Sequence, residues 1–467
     1  MLAILSQIIT VENLLMMNVG IFAGIIIGAM PGLSVTFAVS VMLTLSVGLE
    51  SLPGMFLLLG TYCGGTYGGS ITAILINTPG TPNAAATVLD GYPLARQGRA
   101  NDALRTALFG STLGGLLSAA ALLFLAPQLA KIVEVIASPE YFAMCLFGLA
   151  CTISLSKDNI LKGLISACLG LLVSCVGLDP AFGTTRMTFG NRNLVAGFNQ
   201  VTVMLGIFAL SQVLFECAAA RKSGDRTGGQ SAELNRSSVT LFGLIRHYWK
   251  TILKSSIIGI LIGAIPGTGG TVSAMFSYNE ARRSSKEPEK FGKGSIEGVL
   301  APETGNNAVT GATMIPMLVL GIPGDAIMGG LILINLFMLL QGTAFIRLFV
   351  HVSRIAENIL LPCIIILCTI GAFAITNNVF QVAILVAFAM VGFLMKKFNI
   401  PAIPFVIALV LGNLCEVNLR RALTLSHGDY TVFLTRPICL VVLLASLLLL
   451  VYPALSKLVR SLRARKA

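Results

Sequence analysis

Residues 24–36 read GIIIGAMPGLSVT, and residues 259–271 read GILIGAIPGTGGT. The two stretches agree at Gly24/Gly259, Ile25/Ile260, Ile27/Ile262, Gly28/Gly263, Ala29/Ala264, Pro31/Pro266, Gly32/Gly267 and Thr36/Thr271. Each reads as an apolar helix with glycines four apart, stopped by Pro-Gly and then restarted. Proline lacks the backbone donor and clashes with the preceding turn, so the helix breaks there. In a bilayer the freed backbone groups must face protein, water or a ligand. Two such breaks, at corresponding places in two half-chains, point to a transporter binding site at the interface between repeats.

The composition fits a membrane setting. Of 467 residues, 55% are hydrophobic and 11% charged, and the mean hydropathy is +0.87. Soluble domains carry about 25% charged residues. Separate apolar runs of roughly 15–22 residues suit helices, because barrel strands need only about 9–11. The expected fold is an all-α polytopic membrane protein of roughly 12–14 membrane segments, some of them re-entrant or broken, in two repeats. The first repeat covers 1–220, a basic cytoplasmic linker 221–250, and the second repeat 251–467 with a basic cytoplasmic tail. No Lys or Arg precedes Arg96, so a secretory signal with a basic n-region is not expected and the first apolar run should stay in the membrane. The net charge of +12 lies in short loops between apolar runs, which reports orientation rather than nucleic-acid binding. The ten cysteines lie in or beside apolar segments with no CxxC spacing and are expected to be buried free thiols.

Charge placement sets the two repeats against each other. No base precedes the first Pro-Gly element, whereas Arg221, Lys222, Arg226, Arg236, Arg246 and Lys250 precede the second. Glu50 follows the first, whereas Arg282, Arg283, Lys286, Lys290 and Lys293 follow the second. Further on the bias reverses: Arg96, Arg99 and Arg105 follow Pro79-Gly80, while residues 294–346 contain no Lys or Arg. Equivalent loops with opposite bias belong on opposite membrane faces, so the repeats are expected to be inverted. On this topology Arg186, Arg192, Arg420, Arg421 and Arg436 fall outside, against the rule.

Each half also carries a second glycine-rich element. One runs from Gly64-Gly65-Thr66-Tyr67-Gly68-Gly69-Ser70 to Asn77-Thr78-Pro79-Gly80; the other runs from Glu303-Thr304-Gly305-Asn306-Asn307 to Pro323-Gly324-Asp325. Helix N-termini restarting after such breaks offer N–H donors to an anion. Unwound carbonyls and Asn or Ser oxygens suit Na⁺. The candidate substrate and ion contacts are therefore Gly32, Gly68, Gly69, Ser70, Asn77, Pro79, Gly80, Gly267, Asn306, Asn307, Pro323, Gly324 and Asp325, with a candidate Na⁺ position near Asn77, Asn306 and Asn307. The Gly20/Gly24/Gly28, Gly110/Gly114 and Gly259/Gly263 series reads more simply as close helix packing. Asp90, Glu297 and Glu303 lie near predicted segment ends, where solvation or capping is the default. His247, His351 and His427 are scattered. No GxxxxGK[ST], HExxH or GxSxG occurs, so neither direct ATP use nor a catalytic residue is indicated. The residues leave a secondary transporter first, with an intramembrane enzyme or a passive anion channel as alternatives.

The motifs also carry a resemblance. Tyr67-Gly68-Gly69-Ser70, Asn77-Thr78-Pro79-Gly80-Thr81 and Asp90-Gly91-Tyr92-Pro93 come first. Gly177-Leu178-Asp179-Pro180, Arg186-Met187-Thr188-Phe189-Gly190 and Phe291-Gly292-Lys293-Gly294 follow, then Ala301-Pro302-Glu303, Asn306-Asn307-Ala308 and Gly321-Ile322-Pro323-Gly324. Over nearly its whole length the chain resembles the large membrane subunit, the TctA family, of the tripartite tricarboxylate transporters. The resemblance implies a secondary importer of di- and tricarboxylates in the bacterial inner membrane, driven by Na⁺ or H⁺ and with no other cofactor. It also implies two partners, a small membrane subunit and a periplasmic solute-binding protein.

Overall fold

The computed structural model describes residues 6–30, 33–133, 137–154, 160–179, 183–220, 237, 239–264, 269–315, 325–352 and 357–464. The helices are α1 (Val11–Gly28), α2 (Val35–Ser46), α3 (Ser51–Ile76), α4 (Val88–Leu94), α5 (Ala100–Val133), α6 (Ser138–Ser154), α7 (Ile160–Ser174), α8 (Gln200–Met204) and α9 (Ser211–Ala220). They continue with α10 (Leu241–Gly263), α11 (Gly269–Ser284), α12 (Ile296–Ala312), α13 (Asp325–Ala344), α14 (Ile346–Val352), α15 (Glu357–Thr376), α16 (Val379–Lys397), α17 (Ala402–Leu425), α18 (Val432–Thr435) and α19 (Pro437–Ala464). The strands among the described residues are Gly177–Leu178 and Thr185–Arg186, paired antiparallel. Among the described residues six helical stretches are long and apolar enough to cross a membrane: Val11–Gly28, Val88–Leu125, Gln200–Ala218, Ala326–Ala344, Val379–Lys397 and Ala402–Leu425. The chain is a polytopic helical membrane protein. Shorter apolar helices at Val35–Ser46, Ile160–Ser174, Leu361–Thr376 and Pro437–Val451 accompany these spans. Gly32, Gly267, Pro323 and Gly324 lie outside the described residues, and so does most of the expected linker.

Two compact units divide the chain, and each draws on both sequence halves. The first holds Met1–Ala130, Gln212–Ile265 and Gly269–Ile375. Within it α1 lies along α3 as a reciprocal glycine seam. A Cβ on Gly20, Gly24 or Gly28 would fall on the carbonyl of Leu57, Thr61 or Gly65, and one on Gly60, Gly64 or Gly68 on that of Met17, Ile21 or Ile25. Such small residues let backbones approach where apolar side chains gain nothing over lipid. The second copy of the motif packs the same way: Gly259 and Gly263 on α10 meet Gly305, Ala308, Val309 and Ala312 of α12. In each half, then, a helix ends in GxxxG before the break, and a later helix that carries the polar residues packs on it. Met17, Ile21, Ile25, Phe56, Tyr67, Ile71, Leu104, Leu108, Val299, Leu331 and Phe349 belong to the core of this unit.

The second unit holds Lys131–Ser211, Pro266–Thr268 and Thr376–Ala467. Here α17 packs on α6 and α7, and α19 packs on α6. Gly170 lets α7 meet the Phe405 carbonyl. A π-helical stretch, Leu205–Leu210, lies against α16. Three of the arginines that break the charge rule, Arg186, Arg420 and Arg436, find partners in this unit. Arg186 makes a bidentate pair with Glu416, at 2.7 and 3.0 Å. Arg420 contacts both Glu416 at 2.8 Å and Asp179 at 3.1 Å, and Arg436 pairs with Glu140 at 2.6 Å. Their charge is compensated locally, so they are poor reporters of orientation. All ten cysteines are free, as expected, but Cys168, Cys217 and Cys363 are exposed rather than buried.

Candidate functional site

The polar interior of the first unit is built on α12. The Ser295 hydroxyl accepts from the Gly298 N–H at 3.2 Å and caps the helix start, so α12 begins at Ile296 and places Glu303 mid-helix. Glu303 is 0% exposed. Its Oε1 accepts hydrogen bonds from Ser70 Oγ at 2.5 Å and from Thr87 Oγ1, and its Oε2 accepts one from Ser111 Oγ at 2.9 Å. Asn307 Nδ2 donates to Ser111 Oγ at 2.8 Å and to the Glu303 carbonyl at 3.2 Å. Asn307 Oδ1 is buried and unpartnered among the described residues. The partners of Glu303 are hydroxyls from α3, from the start of α4 and from α5.

Asn306 is one residue before Asn307, about 100° round the helix, and faces a different set. Its Oδ1 lies against Gly270 at the start of α11, near Asn83 Nδ2, and any side chain at Gly270 would collide with it. Thr271 Oγ1 donates to Asn83 Oδ1 at 2.8 Å. Asn306 is 1% exposed, yet neither of its amide atoms has a partner among the described residues. Asn83 and Thr271 are half-buried and Gly269 is exposed, so this polar cluster reaches the unit's surface. The first N–H groups of a helix lack internal partners and carry the positive end of its dipole. The start of α11, flanked by neutral amides and a hydroxyl, can hold a carboxylate without a basic side chain.

Asp90 supplies the frame. Its Oδ1 accepts from the N–H groups of Gly292, Gly294 and Ser295, at 2.9, 2.9 and 2.8 Å, and its Oδ2 accepts from Tyr278 Oη at 2.9 Å. It thereby ties α4 to α11 and to the turn that enters α12. The expectation of a solvated or capping role is overturned for Asp90 and Glu303, both 0% exposed. Glu297 lies in the first turn of α12, half-buried, and accepts from Thr251 Oγ1 at 2.5 Å and Ser285 Oγ at 2.7 Å. The signal for Glu303 was its spacing from Asn306 and Asn307, three and four residues on, which stacks it on their helix face. Asn83 and Thr87 carried no signal in the sequence, and Thr271 only its match to Thr36 in the repeated stretch.

Of the expected contacts, Ser70, Asn306 and Asn307 come together around α12. Gly68 is a packing residue against Ile25. Gly69 and Gly80 are joined by a hydrogen bond from Gly80 N–H to the Gly69 carbonyl, at 3.0 Å. Gly80 also abuts the Gly28 carbonyl, so the half-buried Pro79-Gly80 turn meets the end of α1. Asn77 departs from expectation: it is exposed and caps α3 in the left-handed conformation, at φ 56°. It belongs to a helix end, apart from the buried Asn306 and Asn307. Asp325 is the first residue of α13.

The sequence profile of the tripartite tricarboxylate transporter TctA family matches residues 14–332 and 326–407. The uncharacterized 52.8 kDa protein in the TAR-I ttuC' 3' region of Agrobacterium vitis is 34% identical over 461 residues, covering 92% of this chain and 91% of that protein. The uncharacterized protein in the TAR-II ttuC' 3' region of the same organism is 34% identical over 210 residues, covering 38% of this chain and 87% of that protein. No solved structure matches.

Proposed function

Because the chain belongs to the tripartite tricarboxylate transporter TctA family, we propose that it is a secondary active importer of di- and tricarboxylates, driven by a Na⁺ or H⁺ gradient. The family is one of transporters, not enzymes. On this reading the chain sits in the bacterial inner membrane beside a small membrane subunit. It receives its substrate from a periplasmic solute-binding protein. Its halves are inverted repeats, and the matching pairs α1 with α3 and α10 with α12 support that arrangement.

The observation that carries the substrate site is Asn306, a buried amide with both polar atoms unpartnered, beside the start of α11. A buried polar group without a partner costs about 1–3 kcal/mol. Retaining one next to a helix N-terminus is reasonable if a ligand completes it during the cycle. A carboxylate oxygen would accept from Asn306 Nδ2 and from the first N–H groups of α11, and Asn83 and Thr271 would orient it. The test is uptake of a panel of labelled carboxylates by proteoliposomes holding the chain and its partner subunits, under imposed Na⁺ or H⁺ gradients. Asn306→Ala should abolish uptake with membrane insertion unchanged. Uptake near the wild-type rate would refute the site.

A further inference from the structure

We propose that the Glu303 carboxylate, with Ser70, Thr87, Ser111 and Asn307, is the site of the coupling cation. The proposal rests on reading the chain as an ion-driven transporter. Three observations carry it. The first is charge. Glu303 is 0% exposed and its partners are neutral hydroxyls, with no ion pair to it among the described residues. An isolated buried carboxylate is expensive unless a positive charge compensates it.

The second is ligand chemistry. Three hydroxyl oxygens, two carboxylate oxygens and the unpartnered Asn307 Oδ1 form a hard, all-oxygen set carrying one negative charge. That set suits a monovalent cation, either Na⁺ or a proton on the carboxyl. Each hydroxyl can turn a lone pair inward when the cation arrives. The buried Tyr67 hydroxyl, within electrostatic reach of Glu303, is likewise unpartnered.

The third is position. Glu303 and Asn306 are neighbours on α12, one turn apart, so occupancy at the carboxylate bears directly on the helix that carries the substrate amide. Other charged groups around α12 are already engaged. Asp90 holds Tyr278 and the 292–295 turn, Asp102 on α5 pairs with Arg99, and Lys254 on α10 pairs with Glu280 of α11. Arg105 lies on α5, six residues before Ser111. Glu303 thus has no other duty assigned to its charge.

The experiment has two arms. First, the thermal unfolding of the purified full chain is followed in NaCl against choline chloride at fixed pH, and then across pH without Na⁺, for wild type, Glu303→Gln and Ser111→Ala. A cation that binds the folded state raises its unfolding temperature in proportion to the logarithm of concentration. A Na⁺-dependent rise, lost in Glu303→Gln and needing several-fold more Na⁺ in Ser111→Ala, supports the site with Na⁺ as occupant. A rise on acidification alone, lost in Glu303→Gln, supports it with a proton as occupant. No rise, or an equal rise in Glu303→Gln, overturns it.

Second, in proteoliposomes a tenfold cation gradient coupled one to one sustains about tenfold accumulation of substrate. Glu303→Gln should fall to none, and accumulation at the wild-type level would also overturn the proposal. If the wild type takes up no carboxylate, the transport reading fails by itself, and the unfolding arm still decides the cation site.

Discussion

Replacing Asn306 by leucine should make this protein more stable and inactive at once. Leucine matches asparagine in branching but is larger, so the helix face is kept and the two amide atoms become bulkier methyls. Asn306 is 1% exposed, and those two atoms have no partner among the described residues. A buried polar group left unsatisfied costs about 1–3 kcal/mol. The substitution removes that cost and adds a smaller one, because Asn83 Nδ2 then faces a methyl. The net expectation is a gain of about 1 kcal/mol, read as a rise of a few degrees in the unfolding temperature of the purified chain. Uptake in proteoliposomes should vanish, since the methyls cannot donate to a carboxylate. A structural amide behaves the opposite way, and its removal destabilises. An unfolding temperature lowered by several degrees, or uptake surviving in Asn306→Leu, would refute the reasoning that a ligand completes this side chain.

Three other outcomes test the frame around the site. Asn77→Gly should leave uptake and stability at wild-type levels, because glycine adopts the left-handed cap freely, while Asn77→Ala should cost about 1–2 kcal/mol; loss of uptake in the glycine variant would make Asn77 a ligand after all. Asp90→Ala strands four donors, at a minimum of about 1 kcal/mol each, and should yield little folded protein by size-exclusion chromatography. Asp90→Asn keeps the shape and most of the bonds and should recover well; equal yields from the two would overturn the framing role. Gly64→Ala drives a methyl into the Ile21 carbonyl and should cost about 1–3 kcal/mol. In contrast, Gly148→Ala meets only a leucine methyl at 3.3 Å and should unfold near the wild-type temperature.

The architecture was legible where chemistry forces a local pattern. GxxxG before Pro-Gly announced close helix seams at 24–28 and 259–263, and the structure places those glycines on facing carbonyls. Asn306 and Asn307 were legible as polar groups too costly to bury without use. Glu303 reads as lying near a segment end, whereas Ser295 caps the start of a helix that carries the carboxylate inside. Asn77 is the opposite case: it caps an exposed helix end, and asparagine at a helix end and asparagine in a binding site look alike in a string. Asn83 and Thr271 come from distant segments, and only tertiary packing joins them. Arg186 and Arg436 broke a charge-counting rule for the same reason: Glu416 and Glu140 lie far along the chain from them.

That last separation has a consequence for biogenesis. Arg186 and Glu416, which neutralise each other in the finished fold, stand 230 positions apart. At about 5–20 residues per second, a ribosome needs roughly 10–50 s to travel from one to the other. On the proposed topology, Arg186 crosses the membrane with only Asp179, 3.5 Å away in the finished fold, as its partner, and waits that long for Glu416. Commitment of the 177–190 hairpin to the outer face is therefore provisional until α17 is inserted. A chain truncated before Glu416 should show this region accessible from both faces, and only completion of the later helices should lock it.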